Sequence, residues 1–249
     1  MQDHNLLTGH QWQPFTAYGF HHKFWTLNTD TLISTTVVTC FIIIASISSY
    51  YILQKKQSLT KFVILKYVES FQELLQQSLQ SAPVHHLAFI GSLFTFIFCC
   101  NTISMIPFLE EPTKDLNTTL ACGLISFFYV QSYAIEHNGL KNYLAGYLEP
   151  FFLMLPLNII GTLTSIISLS FRLFGNIFGG YVISNLYFNS FLTSSIYLQL
   201  FGLFSGTNLA MFLLFGLFEG AIQAFVFSML TLTYLSMEIS SEEEESTIS

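Results

Sequence analysis

The chain has 249 residues, of which only 9% are charged, with 27 phenylalanines and a mean hydropathy of +0.55. So few polar side chains cannot coat a water-soluble globule, and a bilayer is the solvent this composition calls for. The net charge of −7 owes much to the run Glu242 to Glu245, and no basic cluster of the nucleic-acid-binding kind exists to suggest that partner.

Residues 1–30 lack a basic segment followed by a short apolar core and a small-residue cleavage site, so the first span is expected to direct insertion itself. His4, His10, His21 and His22 lie among Trp12, Phe15, Tyr18, Phe20 and Trp25, a mixture suited to the headgroup level of a membrane. A metal site is the alternative for these histidines, weakened by the lack of clustered carboxylates or cysteines. Residues 31–54 carry no charge and are long enough to cross about 30 Å of hydrocarbon as a helix. Lys55, Lys56, Lys61 and Lys66 follow, and lysine-rich short loops stay in the cytoplasm, which puts the amino terminus outside.

Residues 59–80 differ in kind. Ile64, Val68, Phe71, Leu75 and Leu79 recur at helical spacing, with Lys61, Lys66, Glu69, Glu73, Gln76 and Gln77 opposite them. Such a helix lies on a membrane surface or docks a soluble partner, and the pattern suits both. Residues 87–109 and 116–135 predict two further spans, joined by an external turn at Glu110-Glu111-Pro112-Thr113-Lys114-Asp115. Cys40, Cys99, Cys100 and Cys122 fall in apolar runs and are expected to be small buried thiols.

The apolar tract 150–188 would measure about 58 Å as one helix, nearly twice the hydrocarbon thickness, so it must tilt or break. The tract 195–239 poses the same problem, and two inclined helices packed as a hairpin answer it. Residues 240–249 form an acidic tail. The fold expected is all-α: an external segment at 1–30 and one membrane domain at 31–249, containing about three spans, an interfacial helix and the hairpin.

Between Glu149 and Glu238 only Arg172 and Glu219 carry formal charge, and Arg172 is the only arginine in the chain. A cation at bilayer depth costs about 2.5–3.5 kcal/mol on insertion scales, so it marks a partner, an aqueous cavity or a function. Positions at helical spacing from Arg172 are Gly161, Thr164, Ser165, Ser168, Gly175, Asn176, Gly179 and Gly180, all small or polar. Leu163, Ile166, Ile167, Phe174 and Ile177 make the opposite face. Small residues allow close helix packing within one chain; with a cation among them, they equally suit a carboxylate brought by a partner. Gly216, Glu219 and Gln223 share one face of the last tract, with Gly220 beside them. Glu219 is expected either to pair with Arg172 or to relay protons in an aqueous crevice.

The run Ser168-Leu169-Ser170-Phe171-Arg172-Leu173-Phe174-Gly175-Asn176 resembles subunit a of the F-type ATP synthases. So do Ile222-Gln223-Ala224-Phe225-Val226-Phe227, Leu230-Thr231-Leu232-Thr233-Tyr234-Leu235-Ser236, Pro112-Thr113-Lys114-Asp115-Leu116-Asn117-Thr118-Thr119-Leu120 and Leu155-Pro156-Leu157-Asn158-Ile159-Ile160. In order and spacing these cover nearly all of the chain beyond residue 30. The resemblance implies a non-catalytic subunit that passes protons through two offset half-channels beside a rotating c ring. It also implies peripheral-stalk b subunits and other ATP synthase subunits as partners and no cofactor or metal; bacterial, mitochondrial and plastid versions share these motifs, and the self-directing amino end and short loops favour a bacterial inner membrane, with a mitochondrial inner or thylakoid membrane as the alternative.

The same resemblance gives Arg172 the role of the essential arginine facing the ring carboxylate. It puts Asn176 and Gln223 beside that arginine, Asn101 in the external half-channel, and Asn158, Thr162, Ser165 and Ser168 along the other. Two departures stand out: Tyr181 and Gly216 occupy positions where relatives often carry ionisable groups, and Glu219 is the expected substitute. Thr162, Ser165 and Ile166 likewise replace an acid, a base and a proline common in relatives. A secondary transporter binding an anion at Arg172 is the alternative function, against which no internal repeat is evident.

Overall fold

The computed structural model describes residues 11–12, 27–54, 59–79, 83–103, 109, 111–146, 155–192, 210 and 213–248. Apart from a two-residue antiparallel pairing of β1 (Gln11–Trp12) with β2 (Leu27–Asn28), the regular structure is helical. The helices are α1 (Thr29–Leu53), α2 (Leu59–Leu79), α3 (Val84–Thr102), α4 (Leu116–Gly146), α5 (Leu155–Leu192) and α6 (Glu219–Ile248). All of them except α2 contain a stretch long and apolar enough to cross a membrane. The expected metal alternative at His4, His10, His21 and His22 lies outside the described residues, as do Lys55 and Lys56.

The two long tracts meet the length problem differently. Helix α5 runs unbroken for 38 residues, about 57 Å, so it exceeds the hydrocarbon thickness without a kink. In the second tract a π-helical turn, Leu213–Phe218, leads directly into α6. Helix α6 continues through the acidic tail to Ile248. Helix α4 breaks at Gly139, whose φ of 74° is open to glycine at little cost, so its spanning part is Leu116–Glu136.

Three apolar clusters hold the bundle. Leu93, Ile97, Cys122, Leu169, Leu173, Ile177, Ala224 and Phe227 join α3, α4, α5 and α6. Toward the other end, Phe71, Leu75 and Leu79 seat the last turns of α2 against Ile90, Val130, Leu232 and Leu235. The predicted apolar stripe of α2 is therefore used only in its carboxyl half: Val68 is exposed, as are Leu59, Phe62 and Val63 outside that stripe. Helix α1 sits at the edge, burying only Ser34 and Val38, the latter against Cys100 and Ile103. That edge position explains why Cys40 is exposed, and Cys99 is half-buried, whereas Cys100 and Cys122 are buried as expected.

Helices α4 and α5 approach so closely that a Cβ on Gly123 would run into the Ser170 hydroxyl, which is buried and donates to the Ile166 carbonyl at 2.9 Å. The turn expected on the external side contains a 3-10 turn, Pro112–Lys114, followed by Asp115 as the cap of α4. The Asp115 carboxylate accepts from the Asn117 amide at 3.0 Å, which satisfies a donor in the first turn. Its other oxygen accepts from Asn28 at 2.9 Å and so ties the turn to the start of α1.

Candidate functional site

Helix α5 presents two unlike sides. Ile166, Leu169, Ser170, Leu173, Ile177 and Gly180 are buried against the rest of the chain. Gly161, Thr164, Ser168, Arg172, Gly175 and Asn176 are exposed, and a Cβ added at Gly161, Gly175 or Gly179 would meet nothing within 4 Å. Close packing within the chain therefore does not account for these glycines, although each weakens a helix by up to about 1 kcal/mol relative to alanine. The expected opposite face holds only in part: Ile166 and Ile177 are buried, but Leu163 and Ile167 are about half exposed. In a bilayer an outward leucine costs nothing, so periodicity alone cannot separate the lipid side from the core.

Among the described residues Arg172 makes no hydrogen bond and no ion pair. Pairing with Glu219 inside the chain, one of the two expectations for that carboxylate, is not made. Glu219 opens α6 directly after the π turn and is half-buried, while Gly216, Gly220 and Gln223 on its flanks are buried. The wider π turn shifts register, and Glu219 is left at the edge of the packed face.

One turn past Arg172, the Asn176 side-chain amide donates to the Gln223 carbonyl oxygen at 2.7 Å, bridging α5 and α6. Gln223 is 2% exposed, and its Nε2 has no partner among the described residues. A desolvated amide donor left over costs about 1–3 kcal/mol, which favours any acceptor that arrives beside it.

Asn101, at the end of α3, is 1% exposed and fully engaged. It donates to the Gly220 carbonyl at 3.2 Å and accepts from the Thr113 hydroxyl at 2.7 Å. A Cβ on Gly220 would lie 2.9 Å from that of Asn101, so only glycine permits this approach. Asn101 is thus a strut between α3, α6 and the turn at Pro112–Lys114. From the same turn the Lys114 ammonium stands 4.7 Å from the centre of the Tyr181 ring. Tyr181, expected along the proton pathway, thus holds a cation over its ring.

The residues assigned to the second half-channel sit along the first half of α5. The Thr162 hydroxyl donates to the Asn158 carbonyl at 2.9 Å and that of Ser165 to the Gly161 carbonyl at 3.0 Å. Asn158, Thr162 and Ser165 are half-buried and Ser168 is exposed, so these four share a helix with Arg172 but do not converge with Gln223 or Asn101. The sequence did not single out Thr113, Lys114 or Gly220 as contact makers. Their only signal is that Thr113 and Lys114 fall within a motif and Gly220 beside a carboxylate.

A family model described as ATP synthase A chain matches residues 31–236. ATP synthase subunit a 2 of Picosynechococcus sp. is 37% identical over 182 residues, 73% of this chain and 72% of that protein. Subunit a 2 of Acaryochloris marina is 34% identical over 200 residues, 80% and 78% of the two chains. ATP synthase subunit a of Moorella thermoacetica is 31% identical over 207 residues, 82% and 89% of the two.

Proposed function

The chain belongs to the ATP synthase A chain family, and on that footing we propose that Arg172 is the fixed cation past which its protons are routed. As a member it is a multi-pass membrane protein, the proton-translocating stator subunit of an F-type ATP synthase, with other subunits of that complex as partners. Membership sets aside the alternative of a secondary transporter holding an anion at Arg172.

The observation that carries the proposal is an unpaired arginine on an open stripe of small residues, within a span whose other side is packed. Such a stripe lets another helix approach closely. A carboxylate carried by that helix would be drawn into its ionised form opposite the guanidinium. We assign the approaching helices to the c ring and the membrane to a bacterial inner membrane, with peripheral-stalk b subunits as further partners. The fixed positive charge also bars a proton from crossing directly between the two half-channels, so protons pass only by riding the ring. A proton falling through about 150 mV releases roughly 3.5 kcal/mol, enough to bias each step.

On the external side the proposed route runs by Tyr181, Asn101 and Glu219 to the Asn176–Gln223 pair. On the other it runs by Asn158, Thr162, Ser165 and Ser168. The test is reconstitution of the complex in vesicles: Arg172→Ala assembles normally and abolishes ATP-driven proton pumping. Normal coupled pumping by that variant would refute the role given to Arg172.

A further inference from the structure

At the end of the bundle carrying Lys61 and Lys66, a surface cavity of about 330 Å³ opens between α3 and α4, lined by His85, Tyr129, Ser132, Tyr133 and Glu136. The proton path assigned above does not use it. Its walls are held in place from behind. Tyr129 stacks on Phe89 with ring centroids 3.6 Å apart and 7° between planes, and its hydroxyl shares a 2.8 Å hydrogen bond with His86 Nδ1. The His86 ring, wholly buried, meets Tyr133 edge-on at 4.5 Å and lies tilted by 60° against His85, with ring centroids 4.0 Å apart. Both tyrosines are therefore fixed before anything binds, which lowers the ordering cost of a ligand.

The lining has a definite chemistry. Among the described lining residues, aromatic rings stand beside one carboxylate with no lysine or arginine, a set that suits a cation, and an ammonium over a ring face is the general form of that recognition. His85 and Ser132 add hydrogen-bond donors suited to a phosphate oxygen. The level is also informative: α3 starts at Val84 and the spanning part of α4 ends at Glu136, so the cavity sits where hydrocarbon gives way to headgroups. We propose that this cavity binds the headgroup of a zwitterionic amine phospholipid from the lysine-side leaflet, its ammonium held by Glu136 and the tyrosine rings and its phosphate by Ser132 and His85. Lipid is favoured over a partner's side chain because the site pairs a cation-binding part with an anion-binding part, matching the two charges of one headgroup.

The test uses the intact ATP synthase complex, purified in detergent, washed free of loosely held lipid and exchanged into mixed phosphatidylethanolamine and phosphatidylglycerol. Lipid retained per complex is then counted by mass spectrometry. The wild type is expected to retain phosphatidylethanolamine in preference, and Glu136→Gln, an exposed substitution with no fold to disturb, to retain about tenfold less at this site. Tyr133→Ala should act likewise, with ATP-driven pumping serving as the check that the complex is intact. Equal retention by wild type and Glu136→Gln, or a preference for phosphatidylglycerol, overturns the proposal. So does a photoreactive group at Ser132 that labels another protein subunit instead of lipid.

Discussion

The two sides of α5 differ in the size and charge of their residues and in what they meet. One side, from Ile166 through Leu173 to Ile177, interlocks with α3, α4 and α6; the other, from Gly161 through Arg172 to Gly175, touches no neighbour that a Cβ could meet. In water, polarity would sort such sides, but lipid accepts apolar groups on either, so size and charge do the sorting here. The side committed to its own chain is large and shaped to fit. The side left for another chain is small and bears one cation.

Substitutions on each side test this contrast, and the largest effect belongs to the open side. Arg172→Ala should remove all pumping without lowering the thermal stability of the assembled complex, and a parallel loss of stability would mean the arginine serves its own fold. Glu219→Gln comes next: passive proton flux through the complex should fall by on the order of 10²-fold, the low end of what a positioned proton-transfer group contributes. Unchanged flux would end its role as a relay.

On the packed side, Leu173→Ala should cost about 2 kcal/mol of stability, near the low end for a buried leucine because the bilayer supplies no water-transfer term. Denaturation of the purified subunit in mixed micelles measures this. Gly220→Ala, forced against Asn101, should cost about 1–3 kcal/mol in the same assay, and a neutral result would show that α3 and α6 can separate without penalty. The smallest effect is expected of Gly175→Ala, where the added methyl meets open space: the isolated subunit should gain up to about 1 kcal/mol. A loss of stability there would mean that the open side is packed after all.

Much of this was legible beforehand, and for identifiable reasons. Uncharged runs of bilayer length announce spans, and a lone arginine in apolar sequence has few inexpensive explanations. The partition of α5 was legible only in part, since Leu163 and Ile167 suit a buried helix face as well as Ile166 and Ile177 do. Periodicity also assumes a regular α-helix, an assumption the π turn at Leu213–Phe218 breaks just where Gly216, Glu219 and Gln223 were aligned. Asn101 and Gly220 stand 119 residues apart, and Lys114 and Tyr181 meet with all of α4 between them in sequence; no local pattern reports such contacts.

The exposed guanidinium has a consequence for biogenesis. A subunit inserted alone must keep Arg172 in the membrane without a neutralising group among its described residues, at a cost of about 2.5–3.5 kcal/mol on insertion scales. A carboxylate met on assembly, as proposed for Arg172, relieves that cost, so the charge proposed to direct protons also favours incorporation over an orphan state. Surplus copies are then the less stable ones and the first exposed to membrane proteases. One residue would thereby help match the number of stators to the number of rotors.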